Sequence, residues 1–311
     1  MLKWNQRFVL LIGVFALISL FVPQERALAA TFTVTKTADT NDGTCDSDCS
    51  LREAIIAANA NSGADTIIIP AGTYTLTIPG TLENAAATGD LDITDDLTIE
   101  GAGAGSTIIQ GCDSVATPGC TGIDRIFEIV NGVAVTIRSV TIRNGNATDT
   151  GGGAIYTSSY PPFSTLTLEN VVLSDNISNT GNFIGGGAIL AAHTVPRISN
   201  SALEINQAGG SAGSSAGGAI YSYRANIFLE NTVVRNNRTT GGSTGGEGGA
   251  FWIDVDSSFS PGYVHRLTLL NSTISGNRSG GTGGIGGSGY APFDLAIVNS
   301  PLTHNPTTRT I

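Results

Sequence analysis

The side chains best placed to do chemistry in this chain are acidic, and they fall into three groups. Asp95-Asp96 is the one adjacent acidic pair after the helix expected from Ser50 onward, and Asp254 and Asp256 flank a single valine late in the chain. Two nearby carboxylates can divide into a general acid and a general base, or share a Ca²⁺. Asp39, Asp42, Asp46 and Asp48, with Asn41 among them, crowd one loop, which makes that loop a Ca²⁺ candidate. Its spacing departs from a twelve-residue EF-hand loop, because Gly43 falls where a ligand belongs. Each group also has a plainer reading, preferred for Asp95-Asp96 and for the Asp39–Asp48 loop and equally good for Asp254 and Asp256. Asp95-Asp96 suits a solvated turn, Asp254 and Asp256 suit one extra loop, and the Asp39–Asp48 segment suits an acidic loop closed by a disulfide. No catalytic residue is therefore assigned, and Ca²⁺ is the one cofactor that the composition brings into view.

Other patterns are expected by chance in a chain with 41 glycines. Gly209–Gly213 and Gly241–Gly245 match the nucleophile-elbow spacing but lie in Gly/Ser runs, where no strand-to-helix turn is expected. Gly281–Gly286 matches a dinucleotide fingerprint with no helix behind it to hold a phosphate.

What positions all of these residues is a repeat. Leu166–Asn176 reads LTLENVVLSDN, Leu267–Asn277 reads LTLLNSTISGN, and Arg197–Gln207 and Ile227–Asn237 are further copies. In each, one Asn precedes another by six residues: Asn170/Asn176, Asn200/Asn206, Asn231/Asn237 and Asn271/Asn277. A Gly-rich run then leads to a second phrase: GGGAIL at Gly185–Leu190, GGAIY at Gly217–Tyr221, GGAFW at Gly248–Trp252 and a degenerate GGSGY at Gly286–Tyr290. A repeat of about 30 residues that cannot bury its own apolar face belongs to a stacked architecture. Apolar residues alternate with polar ones on both sides of the first Asn, which predicts strand, corner, strand. Asn suits the corner because it tolerates the left-handed backbone region. The second phrase predicts a third strand. Copies in constant order predict an all-β, right-handed parallel β-helix with three strands per coil and Asn170, Asn200, Asn231 and Asn271 stacked at one corner. A four-stranded propeller blade needs about 40 residues, more than most of these steps provide.

Alternation places Ile155, Ile189, Ile220 and Phe251 on one face of the third strand and Tyr156, Leu190, Tyr221, Trp252 and Tyr290 on the other. With the isoleucines inward, Tyr156, Tyr221, Trp252 and Tyr290 are expected to form an exposed aromatic strip suited to sugar rings or a partner protein. The inverse arrangement, aromatics inward as bulky filler, is the competing expectation.

The chain opens with Lys3 and Arg7, an apolar run over Phe8–Val22 and the small-residue site Ala27-Leu28-Ala29. That reads as a signal peptide over 1–29, too short for a membrane helix, and predicts a secreted or cell-surface protein with no membrane span after cleavage. Cleavage removes Lys3, Arg7, Arg26 and Glu25 and takes the formal charge from −10 to −12. An acidic chain without a basic cluster excludes nucleic acid as a partner. Charged residues make up 13% of the chain, against ~25% in ordinary globular proteins. That is too apolar for disorder and suits an extracellular solenoid. The four cysteines form two local pairs, Cys45/Cys49 and Cys112/Cys120, which in an exported protein read as short-range disulfides rather than zinc ligands.

Residues 30–64 form an N-terminal cap and 65–311 the β-helix. Within the cap, Ser50 and Glu53 make a capping box, and Leu51, Ala54, Ile55 and Ala58 a helical apolar face. Such a helix would cover the open strand edges of the first coil. Thr31–Thr77, with CSLREAI at its centre, resembles the CSLREA module of exported bacterial β-helix proteins. The GGAI phrases and spaced Asn corners resemble the repeats of chlamydial polymorphic outer-membrane proteins and pectin-lyase-like folds, as does LTIEGAGAGSTIIQG over Leu97–Gly111. The resemblance implies fold and cap. It leaves function open, because that fold hosts lyases, hydrolases and adhesins. Lacking a carboxylate cluster with a basic partner, the sequence favours a non-enzymatic, adhesin-like scaffold that binds a polysaccharide or surface protein over a pectate-lyase-like lyase or glycoside hydrolase. The last phrase, Leu295–Asn305, begins another coil without a closing element. A β-helix incomplete at that end, with self-association through the open coil, is expected.

Overall fold

The computed structural model describes residues 28–306 apart from 82, 112–123, 131, 159–162, 180–184, 210–214, 241–245, 255–264, 281–284 and 289–292. Cys112, Cys120, Asp256, Tyr290 and nearly all of the expected signal peptide lie outside the described residues.

Strand pairing is parallel throughout the described residues, and the chain visits three long sheets in turn before starting again. Sheet 1 holds nine strands from Thr31–Thr33 and Asp65–Ile69 to Phe293–Val298. Sheet 2 holds eight, from Gly72–Thr75 to Leu302–Thr303, and sheet 3 seven, from Leu91–Ile93 to Ile285–Ser288. The result is a parallel β-helix of about 7 coils. The three expected strands per coil are present, and the central coils add a fourth. Asn146–Ala147, Ile177–Asn179, Gln207–Gly209 and Arg238–Thr240 pair as a short sheet between sheets 2 and 3. This extra strand fills the stretch between the second Asn and the Gly-rich run, which the sequence alone leaves as loop.

Register explains the core. Ile67, Ile99, Ile137, Leu168, Ile198, Leu229 and Leu269 stand opposite one another coil after coil in sheet 1, and each is fully buried. Burying one Leu or Ile side chain is worth about 1.5–3 kcal/mol, so the ladder stabilises the stack only because it repeats. The short phrase works because its period-two pattern delivers one such residue to the interior per turn of the coil.

Both asparagines of the repeat turn corners. Asn170, Asn200, Asn231 and Asn271 all take positive φ, between 48° and 54°, and stack at the corner between sheets 1 and 2 as expected. They are exposed, and their ladder bonds are few: Asn231 Nδ2 donates to Asn200 Oδ1 at 3.3 Å. The stronger ladder belongs to the second Asn. Asn176, Asn206, Asn237 and Asn277 are fully buried, and each Nδ2 donates to the next residue's Oδ1 at 2.9–3.1 Å. The same Oδ1 also accepts the preceding Asn's backbone N–H.

The paired glycines before the third strand have separate reasons. Gly217 takes φ +66°, where a side chain is strained, and a Cβ on Gly218 would lie 2.1 Å from the Gly249 carbonyl oxygen of the next coil.

The helix Leu51–Ala60 begins at Ser50 with both bonds of the capping box formed. It packs on Asp65–Ile69 and Leu91–Ile93 in the first coil, burying Leu51, Ala54, Ile55 and Ala58, the expected face. Arg52 is fully buried as well. It pairs with Asp39 at 2.7 Å and donates to the carbonyls of Ala86 and Gly89. Cys45 and Cys49 form the expected disulfide.

Candidate functional site

The outward side of sheet 3 gathers most of the functional groups. Its register aligns Asp92, Glu128, Tyr156, Leu190, Tyr221 and Trp252 as one column. The column is acidic at the cap end and aromatic further on.

The acidic end is organised around Arg125, which lies buried just ahead of Phe127–Val130. Its guanidinium meets Glu128 at 2.7 Å, Asp90 at 3.4 Å and Asp124 at 3.5 Å, and also pairs with Asp149. Thr150 Oγ1 accepts from it at 2.7 Å, and it lies 5.0 Å over the Tyr156 ring. One guanidinium thus serves four carboxylates, with Asp92 as a fifth next to Asp90 and Glu128. Burial pushes the Asp92 carboxyl up to about 8, helped by the charge of Asp90. Burial likewise raises Asp90 to about 6, partly offset by Arg125, and raises Asp124 and Glu128. Asp149 is also opposed by burial, but Arg125 and Thr150 outweigh it and hold its carboxyl low.

This cluster was not singled out in the sequence. Asp90 and Asp92 sit in a segment with no repeat pattern, and Glu128 is brought to Asp92 by register alone. A usable signal existed: FEIV at Phe127–Val130 is a degenerate copy of the third-strand phrase and puts Glu128 in the column of Tyr156.

At the aromatic end, the facing expected from alternation is correct, and the exposure is not. Ile155, Ile189, Ile220 and Phe251 belong to the main core. Leu190, Tyr221 and Trp252 form a second buried cluster with Ala216, with Tyr156 and Tyr223 packed against it. Tyr221 is 6% and Trp252 4% exposed. Gly185, ahead of one of these phrases, lies so close to the column that a Cβ on it would be 2.7 Å from Tyr221 Cδ2. Its lack of a side chain permits that approach.

Accessible aromatic surface occurs instead at the corner between sheets 3 and 1. Phe163, 49% exposed, stacks on His193 with ring centroids 5.5 Å apart and planes 5° from parallel. His193 meets the edge of Tyr223 at 5.4 Å, and the Arg224 guanidinium lies 4.8 Å over the Tyr223 ring. Burial and the charge of Arg224 lower the pKa of His193 and favour its neutral form. Asp254 accepts from the Tyr221 hydroxyl at 2.8 Å, and burial with that carboxylate drives the Tyr221 pKa up.

The remaining candidates serve the backbone. Asp96 accepts from Ala134 N at 2.7 Å, and Asp95 from Asp96 N at 2.8 Å, the turn role preferred above. In the acidic loop, Asp39 holds Arg52 and the Thr77 and Ile78 amides, Asp42 and Asp46 accept from Thr44 and Asp48, and Asp48 pairs with Lys36. Their oxygens are not brought together as a ligand set. Among the described residues, the one such group of three is Asp90, Asp92 and Glu128.

These features define a parallel β-helix protein with a capped first coil and a polar-to-aromatic outer column. No family model matches the chain, and no curated protein matches it. Among solved structures, the A-module of the mannuronan C-5 epimerase AlgE6 from Azotobacter vinelandii is similar over 88% of this chain and 79% of that one, at 18% identity and a TM-score of 0.37. That likeness concerns the fold and carries no argument about chemistry.

Proposed function

We propose that this is an exported β-helix scaffold that binds a polysaccharide without turning it over. The observation that carries the reading is the corner formed by Phe163, His193, Tyr223 and Arg224. Phe163, His193 and Tyr223 come from successive coils, so the strip runs parallel to the stack. Coils about 4.8 Å apart match the length of a pyranose unit, so successive rings of a glycan chain can meet successive coils. Aromatic faces take the apolar faces of sugars, while Arg224 and Asp254 offer hydroxyl partners. The acidic chain, −10 overall, favours a neutral glycan over a polyanion.

A polysaccharide-active enzyme is the alternative. The carboxylate cluster with a basic partner that the sequence was expected to lack is present around Arg125. Asp90, Asp92, Asp124 and Arg125 are buried, however, which leaves Tyr221, Asp254 and His193 as the groups such an enzyme would use. Tyr221 argues against it. Burial raises its pKa, the wrong direction for a base, and its ring is nearly closed to solvent.

The test is a glycan array on the full chain and on Phe163→Ala with Tyr223→Ala. Binding should fall at least about tenfold, a loss near 1.4 kcal/mol, with the melting temperature nearly unchanged. Release of reducing or unsaturated sugars from a polysaccharide would overturn the non-enzymatic reading, and undiminished binding by the double variant would overturn the corner.

A further inference from the structure

We infer that Asp90, Asp92 and Glu128 form a structural site for a divalent cation, with the oxygen chemistry of calcium, that fastens the first coil, on which the capping helix packs, to the second. Carboxylate oxygens from all three lie within 4.8 Å of one another. Calcium binds oxygen at about 2.3–2.6 Å, so one ion can touch three oxygens spread over that distance. Magnesium, at about 2.0–2.1 Å, would need the group drawn tighter, and zinc would want nitrogen or sulfur ligands.

A second observation is independent of the clustering. Asp92 is fully buried, and its Oδ2 accepts from Ala86 N at 2.7 Å. Its other oxygen, Oδ1, is buried without a hydrogen-bond partner. An unpaired buried carboxylate oxygen is costly to leave unmet, and here its column neighbour is a second carboxylate, Glu128. The protein's own cation cannot meet the need. Arg125 is engaged by Asp90, Asp124, Glu128 and Asp149 and makes no hydrogen bond to Asp92. With all five carboxyls ionised, one guanidinium would leave an excess of negative charge that a divalent ion would halve. Asp90 and Glu128 each spend one oxygen on Arg125.

The location gives the ion its role. The helix already grips this segment by its backbone: Arg52 donates to the Ala86, Gly89 and Asp90 carbonyls, and Asn59 Nδ2 to the Asp92 carbonyl at 2.7 Å. The carboxylates of Asp90 and Asp92 point instead towards Glu128 on the next coil. An ion there would join the first and second coils through side chains. This site does not depend on the proposed glycan corner, which lies further along the stack.

The experiment is thermal unfolding of the full chain at pH 7.5 after chelation, with CaCl₂ titrated back and binding followed by calorimetry. Wild type should melt higher as calcium rises, since a ligand that binds the folded state stabilises it by mass action. Asp92→Asn should abolish the calcium response. In the metal-free state it should melt no lower than wild type, because it replaces a buried carboxyl, one of whose oxygens has no hydrogen-bond partner, by a neutral amide. Glu128→Gln is the second variant and should also lose the response. Asp42→Asn with Asp46→Asn, in the other acidic loop, should keep it. A wild type indifferent to calcium would overturn the site, as would a response that survives both Asp92→Asn and Glu128→Gln or disappears in the Asp42/Asp46 variant.

Discussion

Two asparagines six residues apart look equivalent in the repeat, yet they carry different energies. Asn231 sits at φ 49° on the surface with one ladder bond of 3.3 Å. Asn237 is fully buried and accepts from both the backbone and the side chain of Asn206 at 2.9 Å. It also donates to Leu203 O and Asn277 Oδ1. Asn231→Leu should cost about 1–2 kcal/mol, the penalty for a side chain in the left-handed region, and Asn231→Gly should recover most of it. Asn237→Leu leaves several buried polar groups unmet, at about 1–3 kcal/mol each, and should be the most damaging of the three. Urea unfolding of the three variants measures the order, and equal costs for Asn231→Leu and Asn237→Leu would contradict it. The same technique decides the role of the column aromatics. Trp252→Ala should destabilise by about 3–5 kcal/mol, as truncating a buried aromatic does. A nearly neutral result would restore the exposed strip expected from sequence.

Among elements, the cap is the one whose stability should respond to acid. Burial opposes ionisation of Glu53, but the Ser50 amide, the Thr40 hydroxyl and the Asp42 amide all donate to its carboxylate, and the net effect is a lowered pKa. A carboxyl held below its unfolded value contributes stability that is present above the ordinary carboxylate range and is lost as pH falls through the folded value. Glu53→Gln turns an amide nitrogen towards donors and should cost about 1–3 kcal/mol near pH 6. At a pH below the folded value, where both forms are neutral, the gap to wild type should narrow. Denaturant melts at the two pH values check this, and a gap that widens in acid would show that Glu53 is not the group responsible. This element was legible because capping box and apolar face are local patterns: Ser50, Glu53, Leu51, Ala54, Ile55 and Ala58 all do what their spacing implies. Sheet 3 was half legible. Alternation gave the facing of Tyr221 and Trp252. Their burial depends on how closely residues such as Gly185 approach the column, and the approach of Asp92 to Glu128 depends on register between coils of unequal length. Neither is written in local spacing.

At the scale of the whole molecule, the stack was readable because each coil repeats a single solution: period-two strands for the core and Asn or Gly for the corners. The fourth, short sheet escaped notice because strands of two or three residues carry too little pattern to register. The repeat also makes each coil depend on the next for cover, which is where the far end differs. Leu267 and Leu269 are fully buried, whereas their register partners Leu295 and Ile297 are 42% and 38% exposed. The strand that bears them, Phe293–Val298, is the last of sheet 1 among the described residues and has a pairing partner on one side only. Exposed apolar side chains beside an open strand edge are the conditions for edge-to-edge association. Stacking a second copy on this end would continue the Ile67-to-Leu269 ladder through Ile297. A chain made of these 311 residues and nothing beyond them should therefore associate with rising concentration in sedimentation experiments, and Leu295→Lys with Ile297→Lys should hold it monomeric while leaving the capped end intact. Charge suffices because a buried lysine in the joint would have no partner. A wild type that stays monomeric at high concentration, with Phe293–Val298 amides slow to exchange, would mean that the end is covered without a second copy.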